Sequence, residues 1–212
     1  MKKAKWYFDF ISPYAFLQNL RLEEFSKDLE IKRIPLVFAG LLKHWGNKGP
    51  VEINAKRVFT YRQVQWMAER KNIPLRFPER HPFNPIPLLR LCLAAGSTKE
   101  AVDAIFHCIW AEGLSGDQPE NWRIFCDAVG FSEEEANMKI SDPDLKMNLR
   151  SHGEEALESG VFGVPTMVLE GQLFWGNDSC EMLQDYLDHP NLFEKAEMMR
   201  LQNLPGMQVQ KL

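Results

Sequence analysis

Ser12 stands where a strand runs into a helix, and no other residue of the chain is better placed to do chemistry. Upstream, Trp6, Phe8 and Phe10 alternate with Lys5, Tyr7 and Asp9, the period of a half-buried strand. Downstream, Pro13 suits the first helical position, because it has no N–H to lose there and its φ is already helical. That makes Ser12 the N-cap, its hydroxyl satisfying one of the unpaired amides of the first turn. Partial positive charge collects at a helix start, so an anion such as a thiolate is favoured beside that hydroxyl. The side chain can be a cap, a catalyst or both.

The other reactive residue types form no comparable group. Cys92, Cys108, Cys126 and Cys180 make no Cys-x-x-Cys and match no zinc spacing. The first three sit among apolar residues and read as small buried hydrophobes. The five histidines are scattered with no His-x-x-x-His pair, so no metal site is expected. His152 shares a helical stripe with Leu145, Leu149 and Ala156 and reads as a satisfied, half-buried histidine. A net charge of −4 without a long basic run argues against nucleic acid as a partner. No apolar stretch approaches the ~20 residues needed to cross a bilayer. Met1-Lys2-Lys3-Ala4 leads into an amphipathic segment interrupted by Asp9, not a signal core. The expectation is a cytosolic (cytoplasmic) protein.

With 212 residues, 45% hydrophobic and 25% charged, the chain can bury a sizeable core as one domain or as one carrying an insertion. The opening strand and helix, Lys5–Asp28, lead to a second strand at Ile31–Phe38, a βαβ unit whose right-handed crossover makes the strands parallel. Strand signals then vanish for over a hundred residues. A loop at Gly46-Asn47-Lys48-Gly49-Pro50 precedes a helix at Ala55–Lys71, and prolines from Pro74 to Pro87 break the chain repeatedly. Helices follow at Leu88–Ala95, around Val102–Ile109, at Pro119–Val129, after the Ser132/Glu135 capping box, and from Asp142-Pro143 to Ser159. Strands return at Pro165–Leu169 and Gln172–Trp175. A helix at Asp178–Leu187 places Met182, Leu183, Tyr186 and Leu187 inward, a last one spans Phe193–Leu201, and the end frays from Pro205.

The order βαβ, helices, ββα puts two strands at each end of the chain, too few on either side for a domain. They must share one sheet, so the fold class is α/β, a thioredoxin-like fold with a large all-helical insertion. The expected division is a discontinuous thioredoxin-like domain, 1–38 and 160–212, around an inserted helical domain, 39–159. Where such a fold carries its Cys-x-x-Cys, this chain has Ser12-Pro13-Tyr14-Ala15, so dithiol exchange there has no sulfur to use. A thiol brought in by a small molecule restores the missing element. Val164-Pro165 precedes the third strand, and a cis proline there frees the Val164 backbone to pair with an extended peptide. The plainer reading is a proline at a strand start. Asp178 is an N-cap for the next helix, or a carboxylate for the ammonium of a zwitterionic peptide.

Phe8-Asp9-Phe10-Ile11-Ser12-Pro13-Tyr14, Val161-Phe162-Gly163-Val164-Pro165-Thr166 and Phe174-Trp175-Gly176-Asn177-Asp178 together resemble the signatures of the 2-hydroxychromene-2-carboxylate isomerase family. That family is akin to the kappa-class glutathione transferases and, more distantly, to DsbA-type oxidoreductases. The resemblance implies glutathione as cofactor, with Ser12 stabilising its thiolate and Val164 pairing with its cysteinyl part. It implies that Trp175, Gly176, Asn177 and Asp178 hold the γ-glutamyl end. On the substrate side it implies Asn47, Lys48, Asn54, Phe83 and Asn84, and it implies a homodimer. The chemistry implied is reversible thiolate addition to a hydroxychromene carboxylate, with ring opening, bond rotation and release of the thiol.

Two departures matter. Ser179 stands where the family often has Arg, and Val51-Glu52-Ile53-Asn54 lacks the basic character that grips a substrate carboxylate, leaving Lys43 or Arg57 to replace it. A kappa-like transferase that conjugates electrophiles and a non-catalytic thiol- or peptide-binding module are the alternatives.

Overall fold

A computed structural model describes residues 1–205. The frayed end expected from Pro205 lies, after that residue, outside the described residues. Four strands form one sheet in the order β2-β1-β3-β4. Strand β1 (Lys2–Phe8) leads through Ser12 into α1 (Pro13–Asn19), and β2 (Leu29–Pro35) pairs with β1 in parallel. Strands β3 (Thr166–Leu169) and β4 (Gln172–Trp175) add antiparallel pairings, turning at Glu170-Gly171 with both residues at positive φ. Thus the two ends of the chain do meet in one sheet.

Between them lie α2 (Phe38–Trp45), α3 (Asn54–Arg70), α4 (Ile86–Ala94), α5 (Lys99–Phe106), α6 (Pro119–Ala128), α7 (Glu133–Ser141) and α8 (Pro143–Glu158). A π-turn at His107–Ala111 follows α5. After the sheet come α9 (Cys180–Asp188) and α10 (Ala196–Gln202). The Ser132/Glu135 capping box forms as read, and His152 Nδ1 meets the Pro35 carbonyl at 2.9 Å.

Three readings are corrected. The second strand stops at Pro35, short of Phe38: the Leu36 N–H makes the last bond to β1, at the Phe8 carbonyl (2.9 Å), and Phe38 opens a helix. The Phe38 N–H is capped through space by the Asp9 carboxylate, Oδ2 at 2.8 Å. The final helix starts at Cys180 after a 3-10 turn, Asn177–Ser179, so Asp178 is not its N-cap. Met182 faces outward while Leu183 and Tyr186 are buried.

Strand β1 is buried on both faces from Trp6 onward, while Lys3 and Lys5 before it are exposed. Trp6, Phe8 and Phe10 stack down one side and meet Phe106 of α5, with ring centroids 4.5 Å (Trp6–Phe8), 5.3 Å (Phe8–Phe10) and 4.7 Å (Phe10–Phe106) apart. Each such pair is worth ~0.5–1.5 kcal/mol beyond its buried area. On the other side Tyr7 packs with Ile34, Leu36, Leu41, Ala156 and Val161. Leu41 and Ala156 belong to α2 and α8, so the first and last helices of 39–159 roof the sheet itself. From Trp6 and Phe8 the larger core runs without a break into Leu88, Leu91, Ile105 and Phe125 of the helical block. No helix among the described residues is long and apolar enough to cross a membrane.

Candidate functional site

Strand register decides what gathers around Ser12. Phe8 pairs with Pro35, Tyr7 with Thr166, and Thr166 with Trp175. The end of β1, the end of β2, the start of β3 and the end of β4 therefore share one end of the sheet. Pro165 directly precedes β3, Gly176 directly follows β4 and donates its N–H to the Pro165 carbonyl at 2.9 Å, and Ser12 lies four residues past β1, so all three stand at that end although 152 and 166 positions separate Ser12 from Val164 and Asp178.

Ser12 is the N-cap of α1, with φ −93°, ψ 113° and Oγ accepting the Ala15 N–H at 3.2 Å. Its own hydroxyl proton has no acceptor among the described residues. The Val164-Pro165 bond is cis, and neither the N–H nor the C=O of Val164 takes part in a hydrogen bond among the described residues. Trp175 is half exposed, its ring against Phe162 at 5.0 Å. Gly176 sits at φ +86°, and the Asp178 carboxylate folds back over it, 2.5 Å from where a Cβ would be. Gln18 fixes that turn: its Nε2 donates to the Gly176 carbonyl at 2.8 Å and its Oε1 accepts from Trp6 Nε1 at 2.7 Å. Asn177 is buried, while Ser179 turns its hydroxyl onto the Gly176 carbonyl at 2.8 Å.

The remaining predicted residues lie further out. Asn47 and Lys48 are exposed just past α2, whose Trp45 Nε1–H reaches the Val161 carbonyl at 3.1 Å and so sets them beside the Val164 loop. Asn54, exposed at the start of α3, accepts from Arg57 at 2.7 Å. Phe83 is buried in the helical core. Asn84 lies just before Pro85, the N-cap of α4, and its side-chain oxygen accepts the Ile86 N–H at 3.1 Å.

Sequence reasoning missed Tyr14, Asp9, His81 and Trp110. Tyr14 donates to Gln63 Oε1 at 2.6 Å, and its phenol is raised above its ordinary pKa by burial, with the Asp178 charge adding to the effect. Asp9 is buried and its carboxyl is pushed up to about 7 by desolvation, against backbone N–H bonds that lower it. All four cysteines are buried and free; burial pushes Cys92 up to about 12 and Cys108 and Cys126 up to about 11, so none is a ready thiolate. A separate cleft of about 700 Å³ between Phe16, Leu20, Phe106 and Ile124 opens at the far end of α1, and no predicted site residue lines it.

The arrangement can hold a thiolate at a helix start and pair an extended backbone with Val164. Its closeness is testable at Gly163, where a Cβ would fall 2.5 Å from Trp175 Nε1. Gly163→Ala is expected to swing the half-exposed Trp175 outward and shift its fluorescence. Thermal stability should change little, because the Trp175 ring is half exposed and free to move.

The chain is similar to known proteins over most of its length. The DSBA-like thioredoxin domain matches residues 4–188. A 2-hydroxychromene-2-carboxylate isomerase of Pseudomonas putida is 29% identical over 184 residues, covering 84% of this chain and 91% of its own. Human glutathione S-transferase kappa 1 is 24% identical over 207 residues, covering 88% and 91%. A solved structure of 2-hydroxychromene-2-carboxylate isomerase superposes with TM-score 0.80 at 26% identity, over 92% of this chain and 98% of that one. With Ser12 where a redox cysteine would stand, the chain belongs to the DSBA-like thioredoxin domain family and, within it, resembles the 2-hydroxychromene-2-carboxylate isomerases.

Proposed function

We propose that the protein is a glutathione-dependent isomerase acting on 2-hydroxychromene-2-carboxylate or a similar intermediate of aromatic breakdown. The observation that carries this reading is the free Ser12 hydroxyl proton at a helix start, beside the unpaired Val164 backbone. Those groups fit a thiolate on a short extended peptide. Bound there, glutathione supplies a thiolate that adds reversibly to a conjugated carbon and is released once the adjacent bond has turned. Ser12 donates to that sulfur, and the amides of the first turn of α1 add their partial positive charge. Val164 holds the cysteinyl backbone on both sides. Asp178 meets the γ-glutamyl ammonium, and the Trp175-Gly176-Asn177 turn shapes the pocket around it.

On the substrate side, Asn47, Lys48 and Asn54 approach from the loop beyond α2, with Phe83 and Asn84 behind. Lys43 or Arg57 supplies the cation for a substrate carboxylate; Arg57 lies beside Asn54, to whose side-chain oxygen it donates at 2.7 Å. A kappa-like transferase is the second reading, and Glu52 favours it. Its carboxylate accepts the Gly49 N–H at 2.5 Å, keeping a negative charge beside Lys48 that discourages an acid and tolerates a neutral electrophile. The protein is read as a cytoplasmic homodimer.

Titration calorimetry with glutathione is expected to show binding, and its absence overturns both readings. With binding established, turnover of 2-hydroxychromene-2-carboxylate at constant glutathione supports the isomerase. Accumulation of a stable conjugate with a chlorinated aromatic, without isomerisation, supports the transferase.

A further inference from the structure

The turn before Ser12 is held from the helical block, by side chains that belong to no site motif. Trp110 Nε1–H donates to the Phe10 carbonyl at 2.9 Å. His81 Nε2 lies 2.7 Å from the Ile11 carbonyl, and its Nδ1 lies 2.7 Å from the Tyr61 hydroxyl. A carbonyl only accepts, so Nε2 carries the proton. Burial lowers the His81 pKa, which keeps the ring neutral and leaves Nδ1 as the acceptor for Tyr61. The ring is walled by Phe77, Phe83 and Trp110, with centroids 6.4, 6.2 and 5.4 Å away.

The position of that bond gives it consequence. The Ile11 carbonyl and the Ser12 N–H belong to one rigid peptide plane. His81 holds the plane by its oxygen at 2.7 Å, and the Asp9 carbonyl holds it by the Ser12 N–H at 3.1 Å. Fixing both ends fixes the Ser12 φ of −93°, and with it the direction of the Ser12 side chain. Without His81 the plane is tethered by one bond among the described residues, and the part-buried Ile11 carbonyl loses its partner.

We propose that His81 is a positioning residue for Ser12, acting through the Ile11 carbonyl as the link between the helical block and the thiolate site. Tyr61 orients it from α3, and Trp110 steadies the preceding peptide. The consequence for glutathione rests on the functional reading above; the hold on Ser12 does not.

Two measurements on one set of variants test it. In the ligand-free protein, His81→Phe keeps the aromatic packing and removes the donor, and hydrogen exchange of the Ser12 amide is expected to speed up about tenfold or more. His81→Gln, whose Nε2 reaches the same place, is expected to restore protection to within about twofold. With glutathione bound, the pKa of its thiol should rise by about half a unit in His81→Phe, between wild type and Ser12→Ala, and return in His81→Gln. Unchanged Ser12 exchange in a folded His81→Phe protein overturns the proposal. Should His81→Phe not fold, nitrogen NMR of the wild-type ring decides: a proton on Nε2 supports it, and a proton on Nδ1 overturns it. Faster exchange in a protein that binds no glutathione would uphold the positioning role and sink the functional reading instead.

Discussion

Ser12→Ala is expected to slow turnover by about 5- to 150-fold and to raise the pKa of the bound thiol, the effect of removing a charge-assisted hydrogen bond of ~1–3 kcal/mol. The same change removes the N-cap acceptor of Ala15, now at 3.2 Å, and costs about 1 kcal/mol of stability. For a chain of this length that is a fall of roughly 2–4 °C in Tm. The two losses separate in Ser12→Gly, which restores most of the capping energy and none of the donor. Ser12→Gly should therefore regain stability and stay slow. Measured by thiolate absorbance and by substrate turnover, a Ser12→Ala protein with lowered Tm but unchanged thiol pKa and rate would reduce Ser12 to a helix cap. Ser12→Thr, which keeps the hydroxyl, is the control for the donor itself.

Why Ser12 was legible and its supports were not is a matter of range. The strand, cap and proline that place it lie within eight residues, and each acts through local backbone physics. The sheet followed from element order, because two strands at each end of a chain cannot satisfy their edges apart. What failed needed the third dimension. Asp9 read as the polar side of a half-exposed strand because alternation records only that two faces differ, and here α2 and α8 cover the second face. Helix α2 was lost to the apolar run Ile34–Phe38, although Phe38, Leu41, Leu42 and Trp45 have helical spacing and Gly46 stops them at φ +65°. His81 and Trp110 reach the site across 70 and 100 positions, and nothing in the residues around them announces it. Asp178 was read by its local role as a cap, whereas tertiary contacts from Gln18 and Arg21 to Gly176 and Asn177 hold that turn instead.

Asp9 gives the chain a pH dependence opposite to that of most paired carboxylates. It is 1% exposed, with its oxygens accepting the Ile11 N–H at 3.1 Å and the Phe38 N–H at 2.8 Å. Desolvation outweighs those bonds and lifts the folded-state pKa from 3.8 to about 7. Between those two values the folded chain holds a proton that the unfolded chain has released, so stability falls as pH rises through this window and levels off above it. The gap is worth on the order of 4 kcal/mol. Asp9→Asn removes the titration. It also turns an amide N–H toward one of the two backbone donors, costing ~1–3 kcal/mol at every pH. The variant should therefore be less stable than wild type at pH 4 and below, and the deficit should shrink from pH 5 upward and reverse by pH 8. Denaturant unfolding at several pH values reads this directly, and parallel wild-type and variant profiles would rule it out. The charge also bears on function, because the Asp9 carbonyl holds the Ser12 N–H and its carboxylate lies on the same turn. An ionised Asp9 opposes a thiolate at the start of α1, so Asp9→Asn should raise the thiolate fraction of the bound thiol above pH 7, where wild-type Asp9 is charged.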